Sequence, residues 1–132
     1  MIKNPSSKPG EPLQLLAAYQ RAVDTSSIVS ITDLTGVILY ANRRFCEISG
    51  YDEAELVGKT HRVINSGFHS KEFFQGLWKH ISQGQNWRGE IRNRAKDGNY
   101  YWVDTVIAPM RDDEGRIFRY LSIRNIITDK KD

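Results

Sequence analysis

The stretch Trp87-Arg88-Gly89-Glu90-Ile91-Arg92-Asn93-Arg94-Ala95 decides the fold. Trp87, Gly89, Ile91, Asn93 and Ala95 fall on one side of an extended chain, and Arg88, Glu90, Arg92 and Arg94 on the other. A period of two with one charged side is that of a β-strand with one solvated face. Lys96-Asp97-Gly98-Asn99 reads as a turn into a second strand, Tyr100–Pro109. Asp112-Asp113-Glu114-Gly115 turns the chain again, into Ile117–Ile127. The last third is therefore a three-stranded antiparallel meander.

Upstream of the meander the period changes. Phe73, Phe74, Leu77, Trp78 and Ile81 recur on one helical face, behind a capping Ser70 and ahead of Gly84. Gly58–His69 reads as irregular and Asp52–Leu56 as one helical turn. Asn42 is suited to cap a short helix through Phe45 and Ile48, which Gly50 stops. Two β-rich runs, Ile28–Thr32 and Val37–Ala41, flank Asp33-Leu34-Thr35-Gly36 and read as a hairpin. From Pro12 to Val23, Leu15, Leu16, Ala18, Tyr19, Ala22 and Val23 form an amphipathic helix whose apolar stripe needs a partner. Residues 1–11 read as a flexible leader, 12–23 as an N-terminal helix and 24–130 as one domain. Strands segregated from helices argue an α+β fold. If the hairpin joins the meander, the result is a five-stranded antiparallel sheet with short helices packed on one face.

Composition narrows the function. With 132 residues, 39% hydrophobic and 27% charged, the chain has the size and composition of one globular domain. Its net charge of +3 is spread along the chain rather than clustered, so no nucleic-acid footprint is expected. No run of about 18 apolar residues offers a membrane span, and Met1–Gly10 lacks the apolar centre of a signal peptide. A cytoplasmic location follows. Cys46 is the single cysteine and precludes an internal disulfide. His61, His69 and His80 are spaced unlike a helical metal pair. No nucleophile–base pair, phosphate loop or carboxylate pair stands out, so the chain is not expected to be an enzyme.

Ile31-Thr32-Asp33, Gly36, Tyr40-Ala41-Asn42, Phe45 and Ser49-Gly50-Tyr51 together resemble the first half of a PAS domain. Leu56-Val57-Gly58-Lys59, Trp87-Arg88-Gly89-Glu90, Asn93-Arg94, Lys96-Asp97-Gly98 and the closing Ile127-Thr128-Asp129-Lys130-Lys131 continue the likeness over residues 24 to 130. Phe74-Gln75-Gly76-Leu77-Trp78 with Trp87-Arg88-Gly89 and Asn93-Arg94 is most similar to the flavin-binding subset found in aerotaxis receptors and in the redox regulator of nitrogen fixation. The resemblance implies FAD held between the sheet and the middle helices. It points to Ser30, Trp78 and Asn93, with Trp87 nearby, as pocket residues, and to His61 and Asn65 in the loop that lines the flavin. His61 replaces the acidic residue of the nitrogen-fixation regulator, and Asn65 the basic one of the aerotaxis receptors. Light-oxygen-voltage domains, another flavin branch, carry their reactive cysteine around Gly58–Ile64, where this chain has none.

The chemistry of these residues leaves two readings beside each other. Asn93 sits on the face shared with Ile91 and Ala95, and a buried amide needs a partner. A flavin's pyrimidine edge matches an amide; a backbone group or buried water also would. Trp78 and Trp87 serve as core aromatics or as an apolar wall for a ring system. Gly89, on the same face as Trp87, removes bulk where a cofactor needs room. Ser30 is small enough for a ligand contact but common in strands. Cys46, beside Phe45 and Ile48, is expected to pack.

The expected function is a sensor module that binds FAD, responds to redox state or oxygen and relays to an effector of kinase, cyclase or chemotaxis type. Alternatives are a flavin-free interaction, dimerisation or metabolite-binding module, and a haem gas sensor with His61 as axial residue. The stripe on the first helix predicts a homodimer that uses it.

Overall fold

The computed structural model describes residues 9–127. The expected leader and the closing Thr128-Asp129-Lys130-Lys131 therefore lie largely outside the described residues. Helix α1 spans Glu11–Ser26, longer at both ends than the Pro12–Val23 expected. Thr25 and Ser26 lie in its last turn, their hydroxyls donating to the carbonyls of Arg21 and Ala22 at 2.7 and 2.9 Å. None of its side chains is fully buried, and Tyr19 is 64% exposed.

Strands β1 (Ile28–Thr32) and β2 (Ile38–Ala41) form the expected hairpin. Asp33 shapes its turn, the carboxylate accepting from the backbone N–H groups of Thr35 and Val37 at 2.9 and 3.0 Å. Helix α2 (Arg43–Ser49) starts where Asn42 accepts from the Phe45 N–H. It stops at Gly50, whose φ of 78° suits a residue without a Cβ. The short α3 (Glu53–Leu56) and a 3-10 turn at His61–Ile64 follow, so Gly58–His69 is less irregular than expected. Helix α4 (Lys71–Ser82) begins at Ser70, whose hydroxyl accepts from the Phe73 N–H at 3.1 Å.

The meander is β3 (Trp87–Arg94), β4 (Tyr100–Arg111) and β5 (Ile117–Ile126). The sheet order is β2-β1-β5-β4-β3, with every neighbouring pair antiparallel. The hairpin therefore joins the meander through β1 and β5, and β5 becomes the central strand. Directly paired residues share a face. Asn93 opposite Tyr101, Ile91 opposite Val103 and Thr105 opposite Arg124 thus all point toward the helices. One cluster, Ile28, Ile38, Ala41, Phe45, Leu56, Ile64 and Val103, fills the space under α2 and α3. A smaller one, Leu77, Ile81 and Tyr120, fixes α4 to the sheet.

Candidate functional site

Between the inner face of the sheet, the 3-10 turn and α4 lies a cleft of about 890 Å³. Its floor is Thr105, Ile107, Tyr120, Ser122 and Arg124 of β4 and β5; its α4 wall carries Phe74, Leu77, Trp78 and Ile81. The volume lies in the range of clefts that hold a cofactor or drug-sized molecule.

Four of the six expected site residues line this cleft: His61, Asn65, Trp78 and Asn93. Asn93, only 6% exposed, is the buried amide that the alternation of β3 puts on the inner face. Asn65 is brought to it directly, since the two residues form a backbone bridge. The same loop is stitched to β3 by two more hydrogen bonds. Ser66 donates its hydroxyl to the Arg92 carbonyl at 2.7 Å, and the Arg92 N–H donates to His69 Nε2 at 2.9 Å. β3 is an edge strand, and this loop occupies hydrogen-bonding groups that an open edge would expose. Accepting at Nε2 requires His69 to be neutral, and burial lowers its pKa in the same direction.

Trp78 reaches across the cleft from α4 and is 40% exposed. Its indole packs edge-on against Tyr120, centroids 5.8 Å apart. It also lies so close to Gly36 in the β1–β2 turn that a Cβ there would come within 3.0 Å of the ring. Gly36 has φ 92°, so turn conformation and ring contact both favour glycine at this position.

Ser30 and Trp87 do not line the cleft. Ser30 is fully buried behind it, its Oγ 3.0 Å from His61 Nε2 and 2.9 Å from Arg124. Trp87 packs with the α4 cluster and meets Phe73 edge-on at 5.6 Å. Gly89 frees space for a different occupant from the one expected. A Cβ at Gly89 would come within 2.5 Å of the Trp87 ring, so the room it leaves is filled by that indole. The cause is local: residues i and i+2 of a strand share a face, and a large ring at i lies over a bare i+2.

His61 is held by a hydrogen-bond network. Arg124 donates to Ser30 Oγ at 2.9 Å, and Ser30 Oγ shares a second hydrogen bond, 3.0 Å long, with His61 Nε2. The imidazole is neutral at ordinary pH, and its Nε2 is engaged by Ser30 rather than open to an axial metal bond. Burial first, and the Arg124 charge second, push its pKa down to about 3. Phe45 lies parallel to the imidazole, centroids 6.0 Å apart, and the Arg124 guanidinium is 4.4 Å from the same Phe45 centroid.

Arg124 is the residue that sequence reasoning missed. It is 3% exposed, lines the cleft, and its Nε has no hydrogen-bond partner. Burial pushes its pKa down to about 10, which leaves it charged at neutral pH. The signal was the alternation Tyr120, Ser122, Arg124, but only the central position of β5 makes that face interior. Cys46 packs partly buried beside the larger core cluster, and burial raises its thiol pKa. Among the described residues no group of three His, Cys, Asp or Glu could hold a metal, and no helix is long and apolar enough to cross a membrane.

A five-stranded antiparallel sheet with a ligand-sized cleft under its helices is the architecture of a small-ligand binding domain. The chain belongs to the PAS-fold family, whose match covers residues 38–124. It is 37% identical over 108 residues to the aerotaxis receptor of Escherichia coli, covering 82% of this chain and 21% of the receptor. It is 36% identical over 107 residues to the nitrogen fixation regulatory protein of Klebsiella pneumoniae, covering 80% of this chain and 22% of that protein. The chain thus spans about a fifth of the length of these relatives. A light-oxygen-voltage domain from work with a flavin analogue is 25% identical, TM-score 0.76, covering 88% of this chain and 86% of that one. The PAS domain of a Colwellia psychrerythraea protein has the same fold at 24% identity and TM-score 0.76, over 88% of this chain and 99% of that one. The likeness to aerotaxis and nitrogen-fixation regulators read from the sequence is borne out, and signal sensing is the class of function. PAS domains are signalling modules rather than catalysts.

Proposed function

We propose that this domain holds FAD in the cleft, responds to redox state or oxygen, and relays that state to an effector domain outside the chain. The observation that carries the reading is the buried Asn93 amide facing a cleft whose apolar wall is Phe74, Leu77, Trp78, Ile81, Ile91 and Ile107. An apolar slot with a few inward polar groups suits a flat ring system bearing one polar edge. The unpartnered Arg124 Nε adds a donor suited to a carbonyl-bearing edge, so the residues present fit a flavin.

In this reading Asn93 hydrogen-bonds the ring, Trp78 closes the α4 end, and His61 and Asn65 border it. Ser30 acts at one remove, by orienting His61 and Arg124; Trp87 supports α4 from behind. The flavin supplies the redox chemistry, and the protein supplies binding and electrostatics. Likeness to an aerotaxis receptor and a nitrogen fixation regulator supports redox or oxygen as the signal. No cysteine is among the described residues that line the cleft, which disfavours a cysteinyl light cycle. A cytoplasmic location is part of the same proposal.

The purified domain is expected to be yellow and to release FAD, not FMN, on denaturation. A colourless, folded preparation that takes up no added FAD overturns the reading in favour of a flavin-free interaction module. A Soret band would instead indicate haem.

The domain is further proposed to work as a homodimer through α1. Leu13, Leu16 and Tyr19 are exposed on a helix tied to the domain at its C-terminal end, where Asp24 lies within 3.3 Å of the Asn42 amide. A second copy would remove that apolar surface from water. Sedimentation should show a dimer for the full chain and a monomer for a chain starting at Asp24. A full-length monomer at high micromolar concentration, or a dimer that survives truncation, counts against it.

A further inference from the structure

The cleft is one-sided in charge. Arg62, Lys71, Arg92 and Arg124 line it, and among the described residues that do so there is no Asp or Glu. Arg62 and Lys71 are solvated at the mouth, and the half-buried Arg92 turns its guanidinium over the Tyr100 ring, 3.9 Å from its centroid, so these three need no explanation. Arg124 does. A buried guanidinium normally has a carboxylate against it, because the desolvation cost of an unpaired buried charge is several kcal/mol. Among the described residues, the groups placed against Arg124 are uncharged at neutral pH. Ser30 is a hydroxyl, Phe45 an aromatic face, and His61 is neutral. Tyr101, across the sheet, remains a phenol with its pKa pushed up to about 12, chiefly by burial. Nε has no partner at all. The fold thus carries an internal positive charge that it does not itself neutralise.

We infer that Arg124 is the charge-recognition residue of the cleft, and that the cleft's ligand carries, or acquires, negative charge at the edge it turns toward β5. Unsatisfied buried polar groups in native proteins mark either strain or a missing partner, and a site lined by cations alone defines the sign of that partner. Tyr101 sits opposite Asn93 in the β3–β4 pair and feels the Arg124 charge. Two strands apart, Asn93 and Arg124 offer one polar edge an amide and a guanidinium. The inference rests on the flavin reading for the identity of that edge. Two electrons and one proton taken from solution turn the neutral oxidised ring into an anion whose charge lies on the pyrimidine edge. The protein is then expected to hold the reduced ring more tightly than the oxidised one, because only the reduced ring compensates Arg124.

Two measurements on the full chain test this. In the first, the affinity for FAD is measured oxidised and after reduction by dithionite. Wild type should prefer reduced FAD by about ten- to a hundred-fold, the scale of one hydrogen bond to a charged group. Arg124→Met should abolish the preference, and Arg124→Lys should retain part of it. In the second, thermal unfolding of the ligand-free proteins is compared. Arg124→Met should unfold at the same or a higher temperature than wild type, since it removes a charge the empty protein leaves uncompensated. A lower unfolding temperature for Arg124→Met would assign Arg124 a structural role and overturn the inference. An undiminished preference for reduced FAD in that variant would also overturn it. If wild type binds FAD in neither state, the flavin reading falls. The unfolding comparison then decides the role of Arg124 alone.

Discussion

The two walls of the cleft are built by different forces. The wall made by β1, β2, α2 and the 3-10 turn is tied by directional hydrogen bonds around Asn42. Its Oδ1 accepts from the N–H groups of Val29 and Phe45, both at 3.0 Å, and its Nδ2 donates to the Ser27 carbonyl at 2.9 Å. The start of β2 is bound to the Gly58–Lys59 segment in the same way: Ile38 donates to the Lys59 carbonyl at 2.8 Å, and Gly58 to that of Ile38 at 2.9 Å. The opposite wall, α4, rests on the sheet through Leu77, Ile81 and Phe74 against Tyr120, Ile107 and Ile117. Hydrogen bonds fix the angles at which the first wall's segments meet, while the second is held by non-directional apolar packing. The Asn42 side is thus fixed by directional bonds, and α4 by the packing of Leu77, Ile81 and Phe74.

Asn42→Ala strikes the fixed wall and should have the largest effect. It strands two buried N–H donors and one carbonyl and removes the cap of α2. The expected loss is about 3 kcal/mol of unfolding free energy. Chemical denaturation of the ligand-free chain measures it. A loss below about 1 kcal/mol, the size of a single ordinary hydrogen bond, would mean the fixed wall is not held by this residue.

Acid should weaken the same wall next. His61 is neutral when folded, its pKa pushed down to about 3 from the usual 6.5. Below pH 6.5 the unfolded chain takes up this proton and the folded one does not. Stability is therefore full at neutral pH and falls as pH drops toward about 3, where the folded state protonates too. By about pH 5 the loss from this residue alone is about 2 kcal/mol. His61→Gln should flatten the slope, leaving the smaller part due to His69, whose pKa is lowered by burial. An equal slope in wild type and His61→Gln would show that the imidazole titrates normally.

The smallest effect is expected where the cleft meets its ligand. Asn93→Ala should leave the domain folded and weaken FAD retention by about 0.5–1.5 kcal/mol, roughly two- to tenfold in affinity. Equilibrium dialysis of flavin against wild type and variant reads this. Unchanged affinity in a folded variant would remove Asn93 from the contact surface.

What is legible in the sequence depends on neighbours a few residues away. Ser70 and Asn42 as caps, Gly50 as a stop and the period of two in β3 are set by hydrogen bonds and side-chain directions that span one turn or one pleat. That is why alternation alone puts Asn93 on the inner face, and why resemblance attaches His61, Asn65 and Trp78 to the same cleft. Trp87 shows where local rules stop. Its expected face is the correct one, but its ring turns onto Gly89 and the α4 cluster instead of the cleft, a choice made by neighbours from α4. Arg124 shows it more sharply. It reads as one more arginine on a C-terminal strand until β5 pairs with β1 on one side and β4 on the other. Its hydrogen bond to Ser30 joins residues 94 positions apart. Periodicity tells which side chains share a face; only the long-range pairing of strands determines which face is sealed from water, and the cost of burying charge there is what makes Arg124 informative.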